Sequence, residues 1–240
     1  MNILLTGGSS GLGLAIIKKL AKDPNNTIYF TYRSHKDVAM NIEKVHANTF
    51  AIHCDFSVSD SINALLERIP KLNIDVLINN AYTGITNGNH FYKISADDFA
   101  QCFKLNVLPT ISITQKVFET LRKKKSGRII TILTSALLDA PPIGYSVYTA
   151  TKAYIAQLTK SWSKEFIRFG ISSNTISPNF MQTELTKETN SFIIEEMEKT
   201  HPLKRLLKVD EVADVVNFLL HATNQINGVD IPLNAGISIK

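Results

Sequence analysis

Tyr148 and Lys152 stand four residues apart in Tyr148-Thr149-Ala150-Thr151-Lys152, inside a stretch of helical periodicity. Residues at that spacing share a helix face, so a phenol and an ammonium there can point into one site. A free phenol titrates near ~10 and a free lysine near ~10.4. A cation held beside the phenol favours the phenolate and brings its pKa toward working pH. Such a tyrosine can give a proton to a carbonyl oxygen, or take one from an alcohol. The spacing alone is weak, because chance supplies it in many helices. It gains weight from Ser135, thirteen residues before Tyr148 and just beyond the apolar run Ile129–Leu133. The carboxyl end of a strand is where an open sheet places groups that touch a ligand.

A second constellation lies at the N-terminus. The first apolar run leads directly into Thr6-Gly7-Gly8-Ser9-Ser10-Gly11-Leu12-Gly13, and a helical pattern follows. Gly7 suits a tight turn, Gly11 allows backbone to approach a pyrophosphate, and Gly13 lets the helix lie close to the sheet. The free N–H groups of the helix N-terminus would face the phosphates. Glycine collects in any loop, but here it follows the first strand and opens the first helix of a βαβ unit, which makes dinucleotide binding the expectation.

The end of the second strand decides which dinucleotide. A carboxylate there suits the free ribose of NAD, and an arginine suits the 2′-phosphate of NADP. The segment reads Tyr32-Arg33-Ser34-His35-Lys36, with no acid before Asp37. A guanidinium pairs with phosphate in a planar fork. Arg33, with Ser34, is therefore expected to hold a 2′-phosphate, and NADP(H) is favoured over NAD(H).

These residues need a scaffold. Short β-branched runs at Asn2–Thr6, Thr27–Tyr32, Thr49–Cys54, Asp75–Asn79, Arg128–Leu133, Ser172–Ser177 and Val229–Pro232 read as strands. Helical patterns between them include Gly11–Lys22, Ser59–Ile69, Ala96–Lys124, Val147–Phe169 and Asp210–His221. Nearly continuous apolar strands fit a parallel sheet covered on both faces. The alternation predicts a single α/β domain spanning residues 1–240, a doubly wound (Rossmann) parallel sheet of about seven strands with helices on both faces. Residues 179–202 interrupt the alternation, mixing apolar and charged residues. An excursion beyond a strand's carboxyl end is a candidate substrate lid, the alternative being an ordinary helical hairpin on the surface.

Gly127-Arg128-Ile129-Ile130, Thr134-Ser135 and Tyr148-xxx-Lys152, with the Gly-xxx-Gly-x-Gly turn, resemble the short-chain dehydrogenase/reductase family. The resemblance is to its single-domain branch, which includes the 3-oxoacyl-acyl-carrier-protein reductases, and it covers nearly the whole chain. It implies hydride transfer between NADP(H) and a carbonyl or secondary alcohol. Tyr148 would be the general acid/base. Lys152 would tune it and bond the nicotinamide ribose, and Ser135 would orient the carbonyl. Asn106 would hold a water relaying protons from Lys152. The resemblance further implies that Asp55 and Phe56 lie by the adenine, that Asn80 and Ala81 follow the fourth strand against the cofactor, and that Pro178, Met181 and Thr183 hold the nicotinamide carboxamide. Ser9, Ser10 and Leu12 join the glycines of the first turn. Counting forward from Gly127, as in relatives, selects Thr134 in place of Ser135; Ser135 is preferred because its distance to the tyrosine governs the site more directly.

Three positions depart from the family pattern. Tyr82 stands where glycine ends Asn-Asn-Ala-Gly, Asn179 replaces the glycine after Pro178, and Asn234-Ala235 replaces an Asp-Gly pair. Asparagine tolerates the left-handed region better than most residues. Tyr82 either shapes the substrate pocket or faces solvent.

Other classes of function fit less well. No run of 18 or more apolar residues suggests a membrane span, and the N-terminus has no signal-peptide features. Cys54 and Cys102 are isolated, which fits a reducing cytoplasm. The net charge of +5 is spread along the chain. Its densest run, Arg122-Lys123-Lys124-Lys125, falls at an expected helix end, where cations complement the dipole, so no nucleic-acid partner is called for. The histidines fall at no metal-ligand spacing. A non-catalytic dinucleotide sensor on the same fold is the alternative reading, and it would be expected to have lost Tyr148 or Lys152. A homodimer or homotetramer is expected, since Phe103, Leu108, Phe118, Leu158 and Trp162 exceed what one sheet face needs.

Overall fold

The computed structural model describes residues 1–84 and 88–238. Seven strands form one parallel sheet: β1 (Asn2–Leu5), β2 (Thr27–Tyr32), β3 (Thr49–His53), β4 (Val76–Asn79), β5 (Gly127–Ile132), β6 (Ile171–Pro178) and β7 (Asp230–Leu233). Their spatial order is β3-β2-β1-β4-β5-β6-β7. The order reverses between β1 and β4, and the crevice at such a reversal is the ligand site of a doubly wound sheet.

The strand period of two sorts the core. Ile3 and Leu5 of β1, Val76 and Ile78 of β4, and Ile130 and Ile132 of β5 face one side. Leu4, Leu77 and Ile129 face the other. Helices α1 (Gly11–Leu20) and α8 (Val209–His221) cover the first side through Ile16, Ile17, Leu20, Val216 and Leu220. Helices α3 (Ser59–Arg68), α5 (Leu108–Lys124) and α6 (Ser146–Phe166) cover the second through Leu65, Ile113, Val117, Leu121 and Phe166. Burial on both faces is why the strands read as unbroken apolar runs.

Helix α2 (Lys36–Val45) is not among the helical patterns named from the sequence; it buries Ala39 and Ile42. The expected helix Ala96–Lys124 is divided into α4 (Ala96–Cys102), a π turn (Phe103–Val107) and α5. Pro109, in the first turn of α5, has no N–H to give to the preceding turn, which favours a change of hydrogen-bond register there. Arg122, Lys123 and Lys124 end α5, and Lys124 ion-pairs with Asp75 at 2.6 Å. Residues 179–202 contain a short turn at Glu184–Thr186 and α7 (Ser191–Thr200). No helix is long and apolar enough to cross a membrane among the described residues.

The surplus of apolar residues on α5 and α6 is mostly used internally. Trp162 is buried, Phe118 and Leu158 pack beside it, and Phe103 packs on Val107 and Ile155. Of the five, only Leu108 is exposed.

Candidate active site

The carboxyl ends of the central strands open on one cleft of about 840 Å³. Its floor is the glycine turn. Thr31 fastens the turn to β2, its hydroxyl accepting from Gly7 N–H at 2.9 Å and its carbonyl from Gly8 N–H at 2.8 Å. Gly13 is fixed by packing, since a Cβ there would lie 1.9 Å from the Gly7 carbonyl. Gly11 has φ +48°, and a Cβ would lie 3.1 Å from the Thr183 side chain. The excursion after β6 thus already lies across the turn. Ser10 precedes α1 without a side-chain cap, and no acid stands in the first turn. The helix presents uncapped N–H groups to the cleft, which suits a phosphate.

Asn80 acts from the opposite strand. Its amide donates to the carbonyls of Thr6 and Gly7, each at 2.9 Å. The Thr6 hydroxyl accepts from the backbone of Asn80 and Ala81 at 3.0 and 3.1 Å. The two residues stitch β4 to the turn across the sheet reversal. Arg33 and Ser34 line the cleft just past β2, and His35 lines it beside them.

Most of the residues expected to hold a cofactor line this one cleft: Gly7, Ser9, Ser10, Gly11, Leu12, Gly13, Arg33, Ser34, Phe56, Asn80, Ala81, Tyr148, Lys152, Pro178, Met181 and Thr183. Asp55 is not in the lining. Its carboxylate accepts from the backbone and hydroxyl of Ser57 at 2.8 and 2.7 Å. Those bonds hold its pKa below the ordinary value, with a smaller contribution from the Arg33 guanidinium. Lining residues not named individually as site candidates include His35, beside Ser34; Glu184, Lys187 and Met197, within the expected lid; and Ile237, in the C-terminal loop, whose course no local pattern reveals.

Tyr148 and Lys152 rise from α6 as expected of one helix face. Lys152 is fully buried and donates to the Ile132 carbonyl at 2.9 Å. Its ammonium lies over two rings, 5.5 Å from the Tyr82 centroid and 5.9 Å from that of Tyr148. Burial takes its pKa down to about 8, partly offset by the Cys102 thiol. Burial also pushes Tyr148 up to about 12; a hydrogen bond with the Thr134 hydroxyl pulls it down, and Tyr145 pushes it up. The expected lowering of the phenol by Lys152 does not emerge, because the ammonium sits over the ring face and desolvation dominates.

Thr134 and Ser135 both line the cleft at the end of β5, with different partners. Thr134 is the hydroxyl that draws the Tyr148 pKa down. The Ser135 hydroxyl donates to Asn179 Oδ1 at 3.4 Å.

Asn106 sits in the π turn and is 1% exposed. Its side chain grips the loop after β4, donating to the Thr83 carbonyl at 3.0 Å and accepting from Thr83 N–H at 2.7 Å. It is absent from the cleft lining. π turns often mark functional sites, and this one re-aims a side chain toward the loop.

The departures from glycine behave unevenly. Neither Tyr82 nor Asn179 has a positive φ, so neither is strained. Ala235 does, at +53°, a conformation that costs a non-glycine residue roughly 1–2 kcal/mol. Tyr82 turns into the cleft, its ring edge-on to Tyr148 with centroids 5.1 Å apart.

Comparison with known proteins agrees with this geometry. The short chain dehydrogenase family profile matches residues 1–193. The 3-oxoacyl-acyl-carrier-protein reductase of Aquifex aeolicus is 32% identical over 98% of this chain and 96% of its own length. That of Staphylococcus epidermidis is 30% identical over 98% and 97%. Among solved structures, ElxO with NADP bound is 26% identical, with a TM-score of 0.86 over 98% of this chain and 97% of that one. A 3-ketoacyl-acyl-carrier-protein reductase from Brucella melitensis complexed with NADH shares the fold, with a TM-score of 0.88 over 99% and 98% at 24% identity.

Proposed function

The chain belongs to the short chain dehydrogenase family, and from that premise we propose that it is an NADP(H)-dependent oxidoreductase acting on a small carbonyl or secondary-alcohol substrate. One observation carries the reading. The glycine cradle, Arg33 and the Tyr148–Lys152 pair line a single cleft at the sheet reversal. The nicotinamide, when bound, supplies or takes up the hydride, and the rest falls to the protein.

The glycine turn and the uncapped N-terminus of α1 hold the pyrophosphate, and Arg33 with Ser34 holds the 2′-phosphate. Asp55, Phe56 and Ala81 flank the adenosine half, while Pro178, Met181 and Thr183 hold the carboxamide. A phenol that stays protonated at neutral pH is a proton donor, so Tyr148 protonates the carbonyl oxygen of the substrate. The Lys152 cation then stabilises the phenolate left behind. Thr134 and Ser135 orient the carbonyl from the end of β5. Residues 179–202 serve as a lid, since they line the cleft and already touch the glycine turn. The similarity to 3-oxoacyl-acyl-carrier-protein reductases puts a 3-oxoacyl thioester first among carbonyls to assay. We take the assembled enzyme to be a homodimer or homotetramer, with exposed Leu108 and Tyr154 on the outer face of α5 and α6.

The test is fluorescence titration with NADPH and NADH of the wild type and Arg33→Ala. NADPH affinity is expected to fall about tenfold or more, the size of a lost charged hydrogen bond of about 1.5–3 kcal/mol. NADH affinity should hardly change. Wild-type protein that binds neither cofactor would overturn the reading, and equal losses for both would remove Arg33 from the 2′-phosphate site.

A pH profile follows from the site. Lys152 has its pKa lowered to about 8, so its charge is present below that pH and lost above it. Tyr148 stays protonated through the same window. The rate of carbonyl reduction at saturating cofactor should be level on the acid side and fall through about pH 8 as the ammonium is lost. A rate that stays level to about pH 10 would show that the cation is not needed.

A further inference from the structure

Tyr82 occupies a position where the family pattern has glycine, and its backbone makes no use of glycine's freedom. What the position supplies is a side chain. The loop after β4 delivers its ring to the cleft, over Lys152 Nζ at 5.5 Å and edge-on to Tyr148 at 5.1 Å. The hydroxyl lies 3.4 Å from Cys102 Sγ, and that sulfur lies 3.2 Å from the Thr151 hydroxyl. Asn106 clamps the neighbouring Thr83 by both of its backbone groups. The loop, α4 with its π turn, and α6 are thus joined around the catalytic lysine. Lys152 has one carbonyl acceptor and two ring faces about it, and no carboxylate pairs with it among the described residues. A buried ammonium with so few donors of negative charge depends on ring quadrupoles for compensation.

We propose that Tyr82 is a positioning residue for the Tyr148–Lys152 pair: its ring covers the Lys152 ammonium, holding it against the Ile132 carbonyl, and fixes the Tyr148 ring edge-on. What the cation then does rests on the oxidoreductase reading; how it is held does not. The groups facing Lys152 are Tyr82 from the loop, Tyr148 from α6, Cys102 from α4 and the Ile132 carbonyl from β5. Two opposed effects of the Tyr82 ring follow. As a cover it excludes water and disfavours the charge. As a ring face it attracts the cation.

Substitutions separate the two effects. The full chain is labelled with acetic anhydride over a range of pH, and acetylation of Lys152 is followed by mass spectrometry of its peptide. Tyr82→Phe keeps cover and ring face, so its midpoint should match the wild type near 8. Tyr82→Leu keeps the cover without the ring face, so its midpoint should move lower. Tyr82→Gly opens the ammonium to water, and its midpoint should rise by about one unit or more. A leucine variant that matches the wild type, or a phenylalanine variant that moves away from it, would overturn the proposal, as would a glycine variant that fails to rise. If the glycine variant does not fold, the comparison of Phe with Leu decides alone. NADPH titration of the same preparations keeps the two ideas apart. Labelling needs neither cofactor nor substrate. Wild-type protein that fails to bind NADPH would therefore sink the oxidoreductase reading, while the labelling midpoints would still decide the role of Tyr82.

Discussion

Tyr148→Phe is expected to lower the rate of carbonyl reduction by about 10²–10⁴-fold, the contribution typical of a positioned proton donor, while NADPH still binds. The variant keeps the ring that lies edge-on to Tyr82 and Tyr145, so the packing of α6 is preserved. Only the hydroxyl is removed. Loss of turnover with retained binding, read by steady-state kinetics beside fluorescence titration, would place the proton transfer on this phenol. A rate within about threefold of the wild type would transfer the acid role to another group, since it is smaller than any general-acid contribution.

The second large effect distinguishes two neighbouring hydroxyls. Thr134→Ala should cost about 10²-fold in the same rate, comparable to removing one donor from a developing oxyanion. Ser135→Ala should cost less than about tenfold, because its hydroxyl serves Asn179 and a water can replace it there. The physical basis is the partner of each group. Thr134 acts on the Tyr148 phenol, drawing its pKa down, and lines the cleft with it, so the prediction places the carbonyl oxygen between the two hydroxyls. Thr134 also accepts from Ala136 N–H at 3.3 Å, so loss of the hydroxyl could loosen the turn. A loosened turn would also lower NADPH affinity and thermal stability, so a lost rate with both unchanged in Thr134→Ala would assign the effect to the hydroxyl. A larger loss in Ser135→Ala would return the orienting role to the residue counted back from Tyr148.

Much of the scaffold was legible in the sequence, for reasons that are local. Strand β2 has the bounds its β-branched run suggests, and the remaining strands differ from expectation by a residue or two at their ends. Parallel strands buried on both faces leave a strong compositional trace. The glycine turn was legible because each glycine answers a steric need within a few residues, as the 1.9 Å approach at Gly13 shows. The Tyr148–Lys152 pair was legible because one helix fixes the separation of its own side chains.

What the sequence by itself determined is therefore whatever a single element enforces: the alternation of strand and helix, the cradle at the first turn, and the shared face of Tyr148 and Lys152. Tertiary structure alone decided how separate segments meet. It set Ser135 against Asn179, a partner from beyond β6 that no local spacing indicates. It turned Tyr82 onto the lysine, and it joined the Asn106 side chain to the backbone of Thr83. It also left Lys152 with a carbonyl and ring faces for company, so that desolvation set the pKa values of the pair. Burial depends on everything packed around a group, and no spacing within one helix specifies it.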